Sequence, residues 1–336
     1  MAYTTIDDPS AYFQTTLYSG TGSSQAVTNT GNSDLQPDWV WLKVRSNGTY
    51  GHVVFDSVRG VNKALFPNAN NVEEDQSSDV SLSSFNSDGF TVGGYFNNVN
   101  QSGQTFVSWQ WKKTADAGFD IVTATGNATA KTIAHSLSAV PHVMIAKEKS
   151  GSINDWTVYH HKNTAAPQTD SLILNETNVT ADQNTHWNDT APTSSVFTVG
   201  TGSVVNRNSS TYVYYLFSEK QGYSKFGSYT GNGNANGVFV YTGFKPAFVL
   251  LRRTDAARDW LLHDNKRFPF NQAVAKILKP NTTAAESDTG NIDILSNGFK
   301  LLSTGSNSNA SGGTYIYIAF AENPFVTSTG VPATTR

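Results

Sequence analysis

Cysteine is absent from this 336-residue chain. That excludes disulfides and thiolate chemistry, and it leaves stability to packing or to assembly with other chains. Charge is scarce as well: Asp, Glu, Lys and Arg make up 15% of residues, with a formal net charge of −3. No basic run occurs, which argues against a grip on nucleic acid through phosphate neutralisation. No apolar stretch is long enough to span a bilayer. Residues 1–14 have neither the basic start nor the apolar run of a secretory signal. The chain is expected to be made in the cytosol and to be soluble, with no membrane partner. Long helical patterns are missing too. Asn, Ser, Thr and Gly crowd the sequence instead and aromatics reach 12%, a mix that favours many short strands joined by polar turns.

One pattern organises what is present. Thr105-Phe-Val-Ser-Trp-Gln-Trp111, Thr211-Tyr-Val-Tyr-Tyr-Leu-Phe217 and Thr314-Tyr-Ile-Tyr-Ile-Ala-Phe320 are each a Thr followed by aromatic and β-branched residues, suited to a pleated surface. Their spacings, 106 and 103 residues, are each the length of one small β-domain. Other blocks recur in step. Pro37, Pro141 and Pro246 each lead an apolar strand that ends in Lys or Arg, and proline is tolerated at a strand's first residue. Short aromatic strands follow at 52–56, 155–160 and 259–264, the last two sharing Asp-Trp; Arg59 and Arg267 then fall at similar places. Asp88-Gly89 and Asn297-Gly298 precede alternating runs and read as hairpin turns. The Gly-rich pieces around Gly20, Gly126 and Gly231 lack the Lys-Ser/Thr of a phosphate loop, so tight turns after a first strand explain them better.

These signals predict an all-β protein of three tandem antiparallel β-sandwich domains, jelly-roll-like and related by an internal repeat. The expected bounds are an N-terminal arm at 1–14, repeats at 15–115, 118–219 and 225–325, and a C-terminal tail at 326–336. The linkers Lys112–Gly118 and Glu219–Lys225 are short, so the expected shape is a stiff rod or a compact cluster. Only Phe270–Leu278 could turn as a helix. The longest irregular loops, 68–79, 175–193 and 281–291, are where partner contacts are expected.

Candidate chemistry is sparse. His160-His161 with Asp155 could be offered as metal ligands, but neighbouring strand residues point to opposite faces. Glu73-Glu74-Asp75 lacks the ligand spacing of a calcium loop. No nucleophile elbow, His-Glu-x-x-His motif or P-loop occurs. Neither a catalytic role nor a cofactor is expected. Six tryptophans sit on repeat strands and read as core. Trp187 with Asn188, in the long loop of the second repeat, is the pair to pick for a sugar or partner contact. In the arm, Asp7, Tyr12 and Phe13 are the residues to pick for attachment, by docking on a partner. The plainer reading packs the arm on the first domain.

The strings Asp7-Asp-Pro-Ser-Ala-Tyr-Phe-Gln14, Asn32-Ser-Asp-Leu-Gln-Pro-Asp-Trp-Val-Trp-Leu-Lys43, Phe55-Asp-Ser-Val-Arg-Gly60, Ser84-Phe-Asn-Ser-Asp-Gly-Phe90, the 187–200 segment, Tyr223–Asn232 and Gly313–Glu322 carry a resemblance. The chain resembles virion structural proteins of tailed phages of marine bacteria, notably cyanophages and pelagiphages. The resemblance implies a β-rich, non-enzymatic protein displayed on the particle as a tail or fibre component or a capsid-surface decoration. It also implies other virion proteins as partners, and it supplies no catalytic residues. Because Trp187 falls in a shared string, a structural role for it gains ground. The alternative is a carbohydrate-binding module for host surface glycans. By analogy with such appendages, assembly with further copies of the chain is expected.

Overall fold

The computed structural model describes residues 2–78, 80–269, 271, 275–290 and 292–333. The sequence segment read as a possible helical turn, 270–278, lies partly outside them, and its described end, Ala275–Ile277, is a strand.

The first segment runs β1 (Phe13–Ser19), β2 (Gln25–Val27), β3 (Trp39–Val44), β4 (Val53–Asp56) and β5 (Gly60–Leu65). It continues with β6 (Glu74–Asp75), β7 (Leu82–Phe85), β8 (Phe90–Val92), a one-turn helix α1 (Asn97–Asn100) and β9 (Thr105–Trp111). The second begins with β10 (Phe119–Thr125), β11 (Lys131–Ala134), β12 (Val143–Glu148), β13 (Thr157–His160) and β14 (Asp170–Ile173). It then adds β15 (Ala181–Asp182), α2 (Asn184–Trp187), β16 (Val196–Val199), α3 (Ser203–Asn206) and β17 (Thr211–Phe217). The third comprises β18 (Ser224–Thr230), β19 (Phe239–Tyr241), β20 (Phe244–Arg253), β21 (Leu261–Asp264) and β22 (Ala275–Ile277). It ends with β23 (Ser287–Gly290), β24 (Ile292–Leu295), β25 (Gly298–Leu301) and β26 (Thr314–Pro324).

Every pairing between these strands is antiparallel. The large sheets are ordered β1-β9-β3-β4-β5-β6, β10-β17-β12-β13-β14-β15 and β18-β26-β20-β21. In each, the opening strand pairs with the closing strand, which pairs with the Pro-led strand, which pairs with the aromatic strand. Smaller sheets, β2-β8-β7, β11-β16 and β19-β25-β24, complete three sandwich-like regions.

Each large sheet is buried on both faces, as the unbroken burial of Trp39–Val44, Val143–Glu148 and Pro246–Arg252 shows. One face meets its own small sheet. Val40, Leu42 and Phe55 pack there with Phe90 and Val92 in the first region, and Met144 and Tyr214 with Phe197 and Val199 in the second. The opposite face turns to the centre of the molecule. Trp39, Trp109 and Trp111, Ile145, Tyr215 and Phe217, and Phe248, Ile318 and Phe320 belong there to a single cluster drawn from all three segments. Rings from different segments touch: Trp39 stacks on Tyr215 at 4.6 Å, and Phe320 sits 5.6 Å from Trp111 and 5.7 Å from Phe217. The arrangement is a compact cluster around a common core, not a rod.

The arm is part of that body. Asp8 caps a single 3-10 turn at Pro9–Ala11, accepting from the Ser10 amide at 3.0 Å, as the turn residues predict. The Tyr3 hydroxyl donates to the Gly243 carbonyl (2.7 Å) and Thr4 Oγ1 to that of Gln221 (2.7 Å). The arm thus lies between the first region, where the plainer sequence reading placed it and where Ser33 Oγ donates to Asp8 Oδ2 at 2.6 Å and Phe13 meets Trp111 at 4.9 Å, and the third. The reason is Phe13, which packs at 5.4 Å against Phe320 and at 5.8 Å against Phe248.

A common core makes the three regions one cooperative unit. Scanning calorimetry of the whole chain is expected to show one transition, and Trp111→Ala to lower stability by about 3–5 kcal/mol. Independent melting of the regions would contradict the shared core. Deletion of residues 2–14 removes Ile6 and Phe13 from the core, so it is expected to lower the unfolding midpoint rather than leave folded domains behind.

Candidate functional site

The polar chemistry of the chain collects at the seams between regions. Asp56, His160 and Asp264 end the three aromatic strands, and each meets a neighbouring region. Asp56 accepts from the Tyr215 hydroxyl at 2.8 Å. Asp264 accepts from Trp109 Nε1 at 3.0 Å. His160 faces a backbone carbonyl instead, and its Nε2–H donates to Tyr317 O at 3.1 Å. That tautomer fits the Lys162 amide, which donates to Nδ1 at 3.1 Å. Where the incoming group is a donor the strand ends in a carboxylate, and where it is an acceptor it ends in an imidazole.

Two of these groups are charged and fully buried, so each needs a counter-ion. Arg59 pairs with Asp56 and with Glu73 (2.9 Å). Arg267 pairs with Asp264 (2.6 Å) and with Glu286 (3.2 Å), and Glu286 also holds Arg45 of the first region at 2.9 Å. The recurrence of Arg59 and Arg267 in the sequence is therefore structural.

Indole and backbone bonds repeat the cycle. Trp156 Nε1 donates to Phe66 O (2.9 Å) and Ala69 O (3.1 Å), and Trp260 Nε1 to Ile173 O (2.9 Å). Backbone amides of the long loops reach across in the same sense: Glu73 to Lys149 O (2.9 Å), Thr180 to Thr254 O (3.0 Å) and Glu286 to Arg45 O (2.8 Å). The loops singled out for partner contacts thus fasten one region to the next, and their ends, Asp79 and Asn291, lie outside the described residues.

Three cations ring the same core. Lys43, Lys147 and Arg252 are inaccessible and bind carbonyls rather than carboxylates. Lys43 Nζ donates to Val44 O (2.7 Å) and Tyr50 O (2.8 Å). Lys147 Nζ reaches Asn70 O of the first region (2.9 Å), and Arg252 reaches Asn178 O of the second. Burial pulls the two ammonium groups down to about 8 and the guanidinium to about 10.

One recurrent residue was not recognised in the sequence. Asn100, Asn206 and Asn309 are fully buried, each five residues before the Thr of a closing strand. Their Oδ1 atoms accept from the amides of Thr21 (2.9 Å), Asn127 (3.0 Å) and Asn232 (2.9 Å), and their Nδ2 groups donate to Gly93 O (2.8 Å), Gly200 O (2.7 Å) and Ser303 O (2.7 Å). The constant offset was the available signal, lost among the many Asn of polar loops. The same clamp explains the glycines beside it. A Cβ at Gly20, Gly126 or Gly231 would stand 2.1, 2.1 and 2.2 Å from the carbonyl oxygens of Gln101, Arg207 and Ala310. Close backbone approach, not a turn conformation, demands glycine there.

The residues picked from the sequence scatter. Trp187 is completely buried and packs edge-on to Tyr159 at 6.0 Å, so its ring is not open to a sugar; Asn188, in the left-handed conformation that ends α2, is exposed. Phe13 is core. Tyr12 packs on Tyr223 at 6.0 Å. Asp7 accepts from the Ser328 amide at 2.6 Å and from its hydroxyl, tying the arm to the C-terminal tail. His161 turns away from His160: its Nε2 meets Phe226 O at 2.6 Å and Glu219 at 3.7 Å. No group of three or more His, Asp or Glu with metal-binding geometry occurs among the described residues.

The class defined by this architecture is an all-β body of several antiparallel sheets joined by polar seams. Residues 8–324 match DUF7483, a domain of unknown function, and the chain belongs to that family. No curated protein matches it.

Asp56→Ala is expected to cost about 3–5 kcal/mol by leaving buried Arg59 with Glu73 alone and the Tyr215 hydroxyl without its acceptor, and Tyr215→Phe about 1 kcal/mol, both read by denaturant unfolding. Burial, then the neighbouring His161, lowers His160 from 6.5 to about 3, and burial holds His186 near 4. The unfolded chain takes up these protons near 6.5 and the folded one does not. Their contribution is present above pH 6.5 and is lost as pH falls from there toward 3. A pH series of unfolding midpoints is expected to decline below about 6.5, less steeply in His160→Gln.

Proposed function

We propose that this protein is a non-enzymatic structural component of a phage particle, a tail-associated appendage or capsid-surface decoration, made in the host cytoplasm and built into the virion. The observation that carries the reading is the cyclic seam. Three regions close around one aromatic core through first-to-second, second-to-third and third-to-first bonds. Asp56, His160, Asp264, Lys147 and Arg252 are engaged in holding that ring together.

The finer architecture belongs to the same proposal. The three regions are copies of one jelly-roll-like unit. Matched strand orders, the Asn clamp at a constant offset and seam contacts of one sense support this. Three units on one chain do the work of a trimer, presenting a threefold body to other virion proteins. Further copies of the chain then join through its outer surface.

The test is location. In particles purified from an infected marine bacterial host, the chain is expected at a stoichiometry set by the particle's symmetry. Its density is expected to hold three similar lobes around a common axis. A protein present in infected cells but missing from purified, infectious particles would sink the proposal.

A further inference from the structure

The third region departs from the other two on the outside of the molecule. In the small sheets, Val27, Ile133 and Val240 stand opposite Phe90, Phe197 and Phe299, so the outward residues beside them are matched as well. They are Ala26 and Thr28 in the first region and Thr132 and Ala134 in the second, all small and exposed. The third region places Phe239 and Tyr241 there, 46% and 54% exposed. The two rings stand on one face of β19, with Val240 turned into the core between them. Tyr3 meets them only at the rim, its hydroxyl 3.3 Å from that of Tyr241.

The same strand is the edge of its sheet. The Leu301 amide donates to Val238 O (2.9 Å) and the Thr242 amide to Asn297 O (3.0 Å). Bonded and non-bonded pairs alternate along an antiparallel ladder. Val240 therefore bonds Phe299, while the N–H and C=O groups of Phe239 and Tyr241 point away from β25. No bond to those four groups occurs among the described residues. Exposed edges are ordinarily blunted by charge, as Lys131 does on β11. Residues 226–244 contain no Asp, Glu, Lys, Arg or His. An uncharged edge of aromatic and β-branched residues is a template for another strand.

We propose that this edge pairs with the same edge of a second copy of the chain, β19 against β19, antiparallel about a two-fold axis at Val240. In that register Phe239 faces the partner's Tyr241, and Tyr241 the partner's Phe239. Each such pair exchanges two backbone bonds, so all four open groups of each copy are used. Two three-stranded sheets become one of six strands. Neither edge carries a charge to repel the other, and the rings of both copies meet on one face, where cross-strand aromatic pairs are favourable. A sugar stacks on such rings but leaves the strand's amides and carbonyls to water; a second strand takes both. The contact is isologous, and because only one region carries it, it closes at two copies. The pairing deepens the virion reading by naming the surface through which further copies join, and it rests on that reading for its place in a particle. Pairing itself is measured on the purified chain, so its failure is distinct from absence of the chain from particles.

Sedimentation velocity on the full chain over a concentration series is expected to show a monomer–dimer equilibrium in the micromolar range. Phe239→Thr combined with Tyr241→Ala gives the third region the residue pair of the second, and is expected to raise the dissociation constant at least about tenfold. Tyr95→Ala, which removes an 80% exposed ring outside this face, is expected to leave it unchanged. Hydrogen exchange on the unaltered chain supplies a readout that needs no variant. The amides of Phe239 and Tyr241 are expected to slow as concentration rises, while that of Ala26 on the matched edge does not. A chain that stays monomeric across the series, a trimer or larger ring, or a dimer whose affinity survives the double change overturns the proposal. So does a monomer whose Tyr241 resonances shift with cellohexaose, which would give the face to a glycan.

Discussion

A sheet that is apolar on both faces has no stable existence alone, and that constraint shapes this molecule. Each large sheet covers one face with its own small sheet. The other carries tryptophan, tyrosine and phenylalanine, which bury on the order of 150–250 Å² apiece. Such a surface must find cover, and here each finds it in the other two. The short linkers follow from this, because β9 and β10 need only a tight turn to pass from one sheet to the next. The arm follows as well, since its Phe13 continues the same aromatic packing.

Apolar burial is non-directional, so the core by itself does not fix how three sheets are rotated about a common centre. The polar seams do. A carboxylate facing a hydroxyl or an indole N–H, and an imidazole facing a carbonyl, leave little tolerance for a shifted register, because a buried group without its partner costs about 1–3 kcal/mol. Lys43, Lys147 and Arg252 work in the same way. Held by carbonyls and lowered in basicity by burial, they gain little from charge and much from geometry: Lys147 and Arg252 fasten loops of the adjacent region, and Lys43 a loop of its own.

The sequence made the strands legible, because Thr-led aromatic runs and Pro-led apolar runs each map onto an observed strand and the Asp-Trp pairs immediately precede two others. Its clue to the centre was weaker. Unbroken apolar runs such as Trp39–Leu42 mark strands buried on both faces, but periodicity does not say what covers the second face. Trp187 misled through its neighbours: a polar loop surrounds it in sequence, yet α2 folds it inward beneath β16. Asp7, Tyr12 and Phe13 could be picked for docking on a partner for the same reason, since they lie in or just after a polar turn and their partners Ser328, Tyr223 and Phe320 are more than two hundred residues away. Contacts of that range leave no local trace.

Joining the regions on one chain has a consequence that a trimer of separate chains could not match. In a symmetric trimer every matched position holds the same residue, so a seam needing a donor at one interface and an acceptor at another could not be built. Here Asp56, His160 and Asp264 differ to suit what each faces. The same freedom reaches the outer cores, where one region exchanges Phe55 or Tyr159 for His263 and Val99 or Val205 for Ser308. Covalent linkage also keeps the three surfaces at high effective concentration, so the assembled form does not depend on how much protein is present.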